Sequence, residues 1–246
     1  MHNTLDHTIA MATRRILIPS LGPSSWRAFL ADPIVHWRRG KSAWELSVAW
    51  EAASKSSSGI PAEIVKALEK CPTFRGAELI IAVPEHRVTL DDERRPSQND
   101  LWLILWTRHG YTSVTVEAKA GEEFDKPIDQ WLREDSKGKD ARLRFLNNTL
   151  CLAGTCPCHI RYQLLHRTAS AILEARRCHF PLALMMVQSF EESRSSWADY
   201  AAFASHLGLT AERGVVVGPR QVDTIDLYLA WVDSPKARDD IAASVV

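Results

Sequence analysis

Short apolar runs bounded by proline, glycine and charged residues recur through the middle and the end of the chain. Residues 79–83, 101–106 and 114–116 form three such runs in close succession. Runs of this length between turn-forming residues are typical of β-strands, so this region predicts a strand meander. Later runs predict further strands at residues 182–187, 215–217 and 227–232.

Helical spacing is found before and between these runs. The apolar residues of segment 43–54 recur at helical spacing, and Ser42 in front of them is the expected N-cap. Gly208 is expected to end the last predicted helix in a left-handed conformation. The other predicted helices are residues 60–70, 128–132, 141–150, 161–177 and 197–207. This alternation predicts an α/β fold with a mixed central sheet flanked by helices.

The length of the chain favours one large domain. It has 246 residues, of which 46% are hydrophobic and 24% are charged, as is usual for folded water-soluble proteins. Residues 1–13 lack a clear periodicity, and we expect them to form a loose N-terminal tail. Residues 14–246 are expected to form a single domain.

Charge and hydropathy restrict the partners that the protein can have. The 30 Lys and Arg residues balance the 30 Asp and Glu residues, so contact with nucleic acid requires a local basic patch. The N-terminus lacks the apolar core of a signal peptide, and no apolar run is long enough to span a membrane. We therefore expect a cytoplasmic protein that does not contact membranes.

Asp100, Glu117 and Lys119 are predicted to meet at one end of a β-hairpin. If the runs 101–106 and 114–117 pair around a turn at 107–111, residue 100 lies opposite residue 118. Glu117 and Lys119 then share one face of their strand. A slip of one residue would place Asp100 opposite Glu117 or Lys119, so the three groups stay close, although their faces depend on the register.

This combination of groups suits phosphodiester hydrolysis. Two converging carboxylates offer hard oxygen ligands to Mg²⁺ or Mn²⁺, and water and a substrate phosphate complete the coordination. A lysine on the same face can orient or deprotonate the attacking water and can stabilise developing negative charge. Glu-Xaa-Lys alone is a common pattern on solvated strands, but here it lies at the end of an apolar strand.

The order of an acid, an apolar strand and then Glu117-Ala118-Lys119 resembles the restriction-endonuclease-like PD-(D/E)XK phosphodiesterase superfamily. Residues 97–101, 161–170 and 188–190 also look like an uncharacterised bacterial family assigned to that superfamily, and the resemblance extends over most of the chain from about Trp37. It implies a restriction-endonuclease-like core and a nuclease-like site of unknown substrate.

Two more glutamates are candidate metal ligands. Glu85 precedes Asp100 by one predicted strand, and a tight connection would bring the two carboxylates together; the alternative is a solvated carboxylate beside Arg87. In the superfamily that the chain resembles, the first helix often supplies a metal-binding glutamate. Glu45 is the better candidate there because it shares a helix face with apolar residues, and the alternative is an ordinary glutamate at the edge of the helix.

Gln163 and Arg167 lie on one polar face of the helix predicted at 161–177. The resemblance implies that this face contacts phosphate or base beside the metal, which makes Gln163 a candidate catalytic residue. The alternative is the solvated side of an amphipathic helix.

A cysteine-rich segment raises the question of zinc. Cys151, Cys156, Cys158 and His159 are four potential zinc ligands, but their spacing differs from that of common zinc sites. A loop that happens to carry cysteines is the alternative.

Two functions from different classes agree with these observations. The leading hypothesis is a Mg²⁺-dependent nuclease, with DNA as the favoured substrate. Because no DNA-reading motif is obvious, target recognition could come from a partner subunit or from a homo-oligomer. The alternative is a non-catalytic binding or regulatory protein on the same scaffold, with or without a zinc-stapled loop.

Overall fold

The computed structural model describes residues 20–90, 95–133, 138–154, 156–191 and 196–237. The tail predicted at residues 1–13 lies outside the described residues. Within these ranges no helix is both long enough and apolar enough to cross a membrane.

Seven α-helices and one 3₁₀ helix are found in the described part of the chain. The 3₁₀ helix is Pro23–Phe29. The α-helices are α1 Pro33–His36, α2 Ser42–Ala53, α3 Ala62–Lys70, α4 Ile128–Arg133, α5 Lys139–Thr149, α6 Tyr162–Cys178 and α7 Trp197–His206.

Six strands within the described ranges form one mixed sheet. The strands are β1 Glu78–Val88, β2 Ser97–Thr107, β3 Gly110–Lys119, β4 Leu182–Ser189, β5 Val216–Val222 and β6 Ile225–Asp233. Their order in the sheet is β1-β2-β3-β4-β6-β5, with parallel pairing of β3 with β4 and of β4 with β6. The other neighbours are antiparallel. The predicted α/β class, with helices flanking a mixed sheet, is confirmed.

The sheet is buried between two layers of helices. Strand β4 is buried along its whole length, because helices cover both faces of the sheet there. Its apolar side chains contribute to the core on each face in turn. Met185 packs in the core beneath α5, α6 and α7, and Met186 packs in the core beneath α2 and α3. This arrangement holds the ends of β2 and β3 between α2 and α6.

The hairpin register differs by one residue from the prediction. Thr107 pairs with Gly110, so only two residues form the turn, and Leu101 pairs with Val116. The Thr107 hydroxyl donates to the Gly110 carbonyl at 3.0 Å, and Gly110 has a φ of +123° that favours glycine. Extension of this register places position 100 opposite Glu117 rather than Ala118.

The start of α2 also differs from the prediction, while the end of α7 agrees with it. The N-cap of α2 is Lys41, one residue before the expected Ser42, and no side chain caps the helix. Helix α7 ends at His206, and Gly208 has the predicted left-handed conformation with a φ of +76°.

We expect Trp50→Phe to lower the free energy of unfolding by about 1–3 kcal/mol, because it leaves a buried acceptor without its donor. Trp50 is fully buried, and its indole N–H donates to Gln188 Oε1 at 2.9 Å. Urea unfolding measures the loss. In the matched control Trp106→Phe, at a side chain that is 40% exposed, the change should stay within about 0.5 kcal/mol. Equal losses in the two variants would contradict this role of Trp50.

Candidate active site

Strands β2 and β3 stop pairing with each other next to Asp100. Leu101 and Val116 form the last backbone pair at this end. Beyond it, Asp100 Oδ2 accepts a hydrogen bond from the Ala118 N–H at 2.8 Å. A carboxylate thus takes the place that a backbone carbonyl would have in a continued ladder, and it lies where the two strands diverge.

The alternation of side chains along β2 is interrupted at the same place. Ser97 and Leu101 would point to one side in a regular strand. However, Ser97 Oγ accepts from Arg167 of α6 at 3.0 Å, whereas Leu101 packs in the core beneath α2. An irregular backbone near Asp100 is required to place these two side chains on different sides of the sheet.

Glu85 lies opposite Asp100 on β1. Its neighbours Pro84 and His86 pair with Leu101 and Asn99, which fixes this position. Glu85 has a φ of +53°, a left-handed conformation that is costly for a residue with a side chain. Its carboxylate accepts a hydrogen bond from Gln98 Nε2 at 2.7 Å. The structure therefore brings Glu85 to Asp100, which is one of the two alternatives that the sequence left open.

Glu117 and Lys119 point toward α6, and Ala118 between them packs on the opposite side, as predicted. Lys119 Nζ donates to Glu117 Oε1 at 2.7 Å. Both side chains are almost inaccessible to solvent, with exposed fractions of 3% for Glu117 and 5% for Lys119. Such a buried ion pair is stable only when its remaining polar atoms also find partners.

Helix α6 supplies those partners through Gln163 and Arg167, one helical turn apart. Gln163 Nε2 donates to Glu117 Oε1 at 2.8 Å, and Gln163 Oε1 accepts from Lys119 Nζ at 3.1 Å. Arg167 Nε donates to Glu117 Oε2 at 2.6 Å, and Arg167 Nη2 lies 3.8 Å from Asp100 Oδ1. Gln163 therefore orients both members of the ion pair, and Arg167 links the two predicted catalytic carboxylates.

These side chains line a cleft of about 380 Å³. Its wall on the α6 side carries Gln163 and Arg167, and its opposite wall is built by the segment from the 3₁₀ helix to the start of α2. The residues that line it are Leu30, Ala31, Val35, His36, Lys41, Ser42, Ala43, Glu85, Gln98, Asp100, Glu117, Lys119, Glu122, Gln163 and Arg167. Five of the six predicted site residues thus share one cleft.

The acids of the cleft repel one another. Burial, together with the negative charge of Glu117, raises the pKa of Asp100 to about 7. Burial and the charge of Asp100 raise the pKa of Glu85 to about 8. Carboxyl groups that stay protonated near neutral pH are typical of a buried site in which the carboxylates outnumber the Lys and Arg side chains.

Glu117 and Arg167 stabilise each other's charged form. Burial alone would raise the pKa of Glu117, but the charges of Lys119 and Arg167 and their hydrogen bonds lower it below its usual value. Burial would lower the pKa of Arg167, but Glu117 and Asp100 raise it. Glu117 therefore keeps its negative charge more readily than Asp100 and Glu85 do.

The carboxylate oxygens of the cleft are suitable ligands for a divalent cation such as Mg²⁺. In the described part of the chain, no three His, Cys, Asp or Glu side chains are arranged as a complete metal site. Mg²⁺ does not need such a cage, because one or two carboxylates commonly hold it while water and phosphate oxygens supply the remaining ligands. Asp100 and Glu117 would be those two carboxylates, and the excess of acid in the cleft favours a cation.

The structure does not bring Glu45 to this cleft. Glu45 is buried in α2, where its Oε1 accepts from the Gly40 N–H at 3.1 Å and its Oε2 accepts from the Ala237 N–H at 2.8 Å. It lines a different cavity, between α2, α3 and the segment after β6. Glu45 therefore fixes the C-terminal segment against α2, a role that its position on an apolar helix face could not reveal.

The cysteine-rich segment does not form a metal site among the described residues. Cys156 is buried, whereas Cys151 and Cys158 are exposed. Burial and the neighbouring Cys158 raise the pKa of the Cys156 thiol to about 12.

Sequence reasoning did not find two elements of the site. Ser97, which accepts a hydrogen bond from Arg167, is one of them. Glu122 also was not predicted; its Oε1 accepts from the Ser42 N–H at 3.3 Å at the start of α2. Neither Ser97 nor Glu122 belongs to a spacing that points to the site, whereas the four-residue spacing of Gln163 and Arg167 placed those two residues on one helix face.

Comparison with known proteins gives one family. Residues 19–236 match the family model described as Domain of unknown function (DUF6946). No curated protein and no solved structure matches the chain.

We expect Asp100→Asn to stabilise the protein at pH 8 by about 1–3 kcal/mol and to have little effect near pH 4. Folded Asp100 keeps its proton up to about pH 7, whereas an unfolded aspartate loses it near pH 4. Stability of the wild type therefore falls as the pH rises through this window, and an amide removes that dependence. Since 21% of the Asp100 side chain is exposed, water limits the effect.

Urea unfolding of both proteins at the two pH values measures this difference. Glu78→Gln, at an exposed carboxylate on β1, is the control that should show the same stability difference at both pH values. An Asp100→Asn protein that is less stable than the wild type at pH 8 would refute the prediction.

Proposed function

Because the chain belongs to the family described as a domain of unknown function (DUF6946), we propose a function from the cleft itself: Mg²⁺- or Mn²⁺-dependent cleavage of nucleic acid, with DNA as the expected substrate. The observation that carries this proposal is the meeting of Asp100, Glu117 and Lys119 where β2 and β3 diverge. The resemblance to the restriction-endonuclease-like superfamily stays a prediction, and it agrees with this placement.

Asp100 and Glu117 would hold the cation, and Glu85, which lies opposite Asp100 on β1, would add negative charge beside them. A bound Mg²⁺ or Mn²⁺ supplies a Lewis acid that polarises the scissile phosphate. The protein's own contribution is to fix two carboxylates at the open end of a buried sheet.

Lys119 would hold the attacking water and stabilise the negative charge that develops on the phosphate. Its ammonium group is fixed between Glu117 Oε1 and Gln163 Oε1, so its position is set before substrate binds. A preorganised cation in a site with little water is worth far more than the same charge in solution. Gln163 acts as a positioning residue, since it contacts both Glu117 and Lys119.

Cationic residues of the cleft would bind the nucleic acid backbone. Lys41, Lys119 and Arg167 line it beside the four carboxylates of Glu85, Asp100, Glu117 and Glu122, so a bound metal cation would have to offset the acids before phosphate binds. Phosphate contacts of this kind bind without reading sequence. Target choice would then come from a partner subunit or a second copy of the chain, and we expect the protein to act in the cytoplasm.

We expect the wild type to cleave oligonucleotides in the presence of Mg²⁺ or Mn²⁺ and not in EDTA. Glu117→Gln and Lys119→Met should each lower the cleavage rate at least about a hundredfold, because they remove the cation ligand and the preorganised positive charge. Gel assays on single-stranded DNA, double-stranded DNA and RNA measure the rates.

Two matched variants control for the substitutions. Glu78→Gln makes the same chemical change at the other end of the sheet, and Lys55→Met makes it at an exposed lysine after α2; both should cleave like the wild type. Absence of cleavage of all three substrates by the wild type would reject the nuclease proposal.

One observation favours a second candidate, a non-catalytic binding or regulatory protein on the same scaffold. Both oxygens of Glu117 already have partners within the chain, so the charge network is balanced around it without any ligand. In that case Lys119 and Arg167 serve to stabilise a buried acid. Wild-type protein that cleaves nothing, with a Lys119→Met variant that is less stable, would support this second function.

A further inference from the structure

The guanidinium group of Arg167 lies between the two carboxylates that would hold the cation. Its Nε donates to Glu117 Oε2 at 2.6 Å, and its Nη2 lies 3.8 Å from Asp100 Oδ1. Its Nη1 donates to Ser97 Oγ at 3.0 Å, which fixes the plane of the group. With an exposed fraction of 9%, the side chain is an internal cation of the site.

Few carboxylate oxygens remain free for a second cation while Arg167 is in this position. Glu117 Oε1 accepts from Lys119 and Gln163, and Glu117 Oε2 accepts from Arg167. Asp100 Oδ2 accepts from the Ala118 N–H. Of these four oxygens, only Asp100 Oδ1 has no hydrogen-bond donor among the described residues.

We propose that Arg167 occupies the cation site of the ligand-free protein and leaves Glu117 when a phosphate enters, so that metal and nucleic acid bind cooperatively. This inference rests on the proposed function and adds a regulatory step to it. Arg167 is here a positioning residue, because it acts through Glu117.

The physical basis is competition between two positive charges for one acid. A divalent cation on Glu117 would lie close to the guanidinium, and like charges at such distances repel strongly in a buried site. A phosphate diester offers the guanidinium the paired oxygen acceptors that suit its planar fork. Arg167 can therefore exchange Glu117 for phosphate inside the same cleft, and this exchange frees a ligand for the metal.

The coupling between metal binding and nucleic acid binding is reciprocal by thermodynamic necessity. If nucleic acid tightens the binding of metal by some factor, metal tightens the binding of nucleic acid by the same factor. The ligand-free protein would bind Mg²⁺ weakly, and the complete site would assemble only around a substrate.

The test measures the dissociation constant of Mn²⁺ by electron paramagnetic resonance, with and without a short single-stranded DNA oligonucleotide. The wild type serves as the parent protein, with an oligonucleotide whose linkages are phosphorothioates so that it stays intact during the titration. In the parent, the oligonucleotide should tighten Mn²⁺ binding at least about tenfold. Adding Arg167→Gln should tighten Mn²⁺ binding at least about tenfold without oligonucleotide and should remove most of the oligonucleotide's effect.

Two further variants keep the test decisive. Arg167→Lys retains a charge but cannot reach Glu117 and Ser97 together, so its Mn²⁺ affinity should lie between those of the parent and Arg167→Gln; it decides the question if the glutamine variant does not fold. Arg176→Gln, on the same helix but paired with Asp223, should bind Mn²⁺ like the parent.

The possible failures are distinguishable. If the Arg167 variants bind Mn²⁺ no more tightly than the parent while the wild type cleaves nucleic acid, the exchange is refuted and the nuclease proposal stands. If no variant binds Mn²⁺ with or without oligonucleotide and the wild type cleaves nothing, both are refuted.

Discussion

The ionised carboxylate of Glu117 is the interaction on which the candidate site depends. Its burial would favour the neutral acid, and two cations from different elements reverse this preference. Lys119 reaches it from the same strand, and Arg167 reaches it from α6. The charge of the site is therefore tied to the docking of α6 on the sheet, since α6 both buries Glu117 and supplies Arg167 and Gln163 as its partners.

The neighbouring acids are in the opposite situation. Asp100 and Glu85 lie opposite each other on β1 and β2, and burial together with the charges of neighbouring carboxylates raises their pKa values. Glu85 also keeps a left-handed backbone conformation. Repulsion and strain that a folded protein retains in one cleft are more typical of a functional site than of a stabilising network.

The sequence predicted much of the fold and part of the site, for identifiable reasons. Periodic apolar runs determine strands and helices locally, so the meander that carries Asp100 and Glu117 could be predicted. The exact register could not be predicted, because it depends on the number of residues in the turn, and the structure has only two there. Glu45 could not be placed either: α2 is buried on more than one side, and helical spacing does not tell which side faces a cleft.

The bond from the Ala118 N–H to Asp100 has a consequence for the choice of amino acid at position 100. The same carboxyl group joins the ends of β2 and β3 by a hydrogen bond and is also one of the acids of the cleft. A glutamate would keep the acid but, being one methylene longer, would wedge the strand ends apart, while an alanine would keep the strands and leave an amide hydrogen without an acceptor. A substitution at position 100 therefore changes the pairing of the strand ends and the acidity of the cleft together.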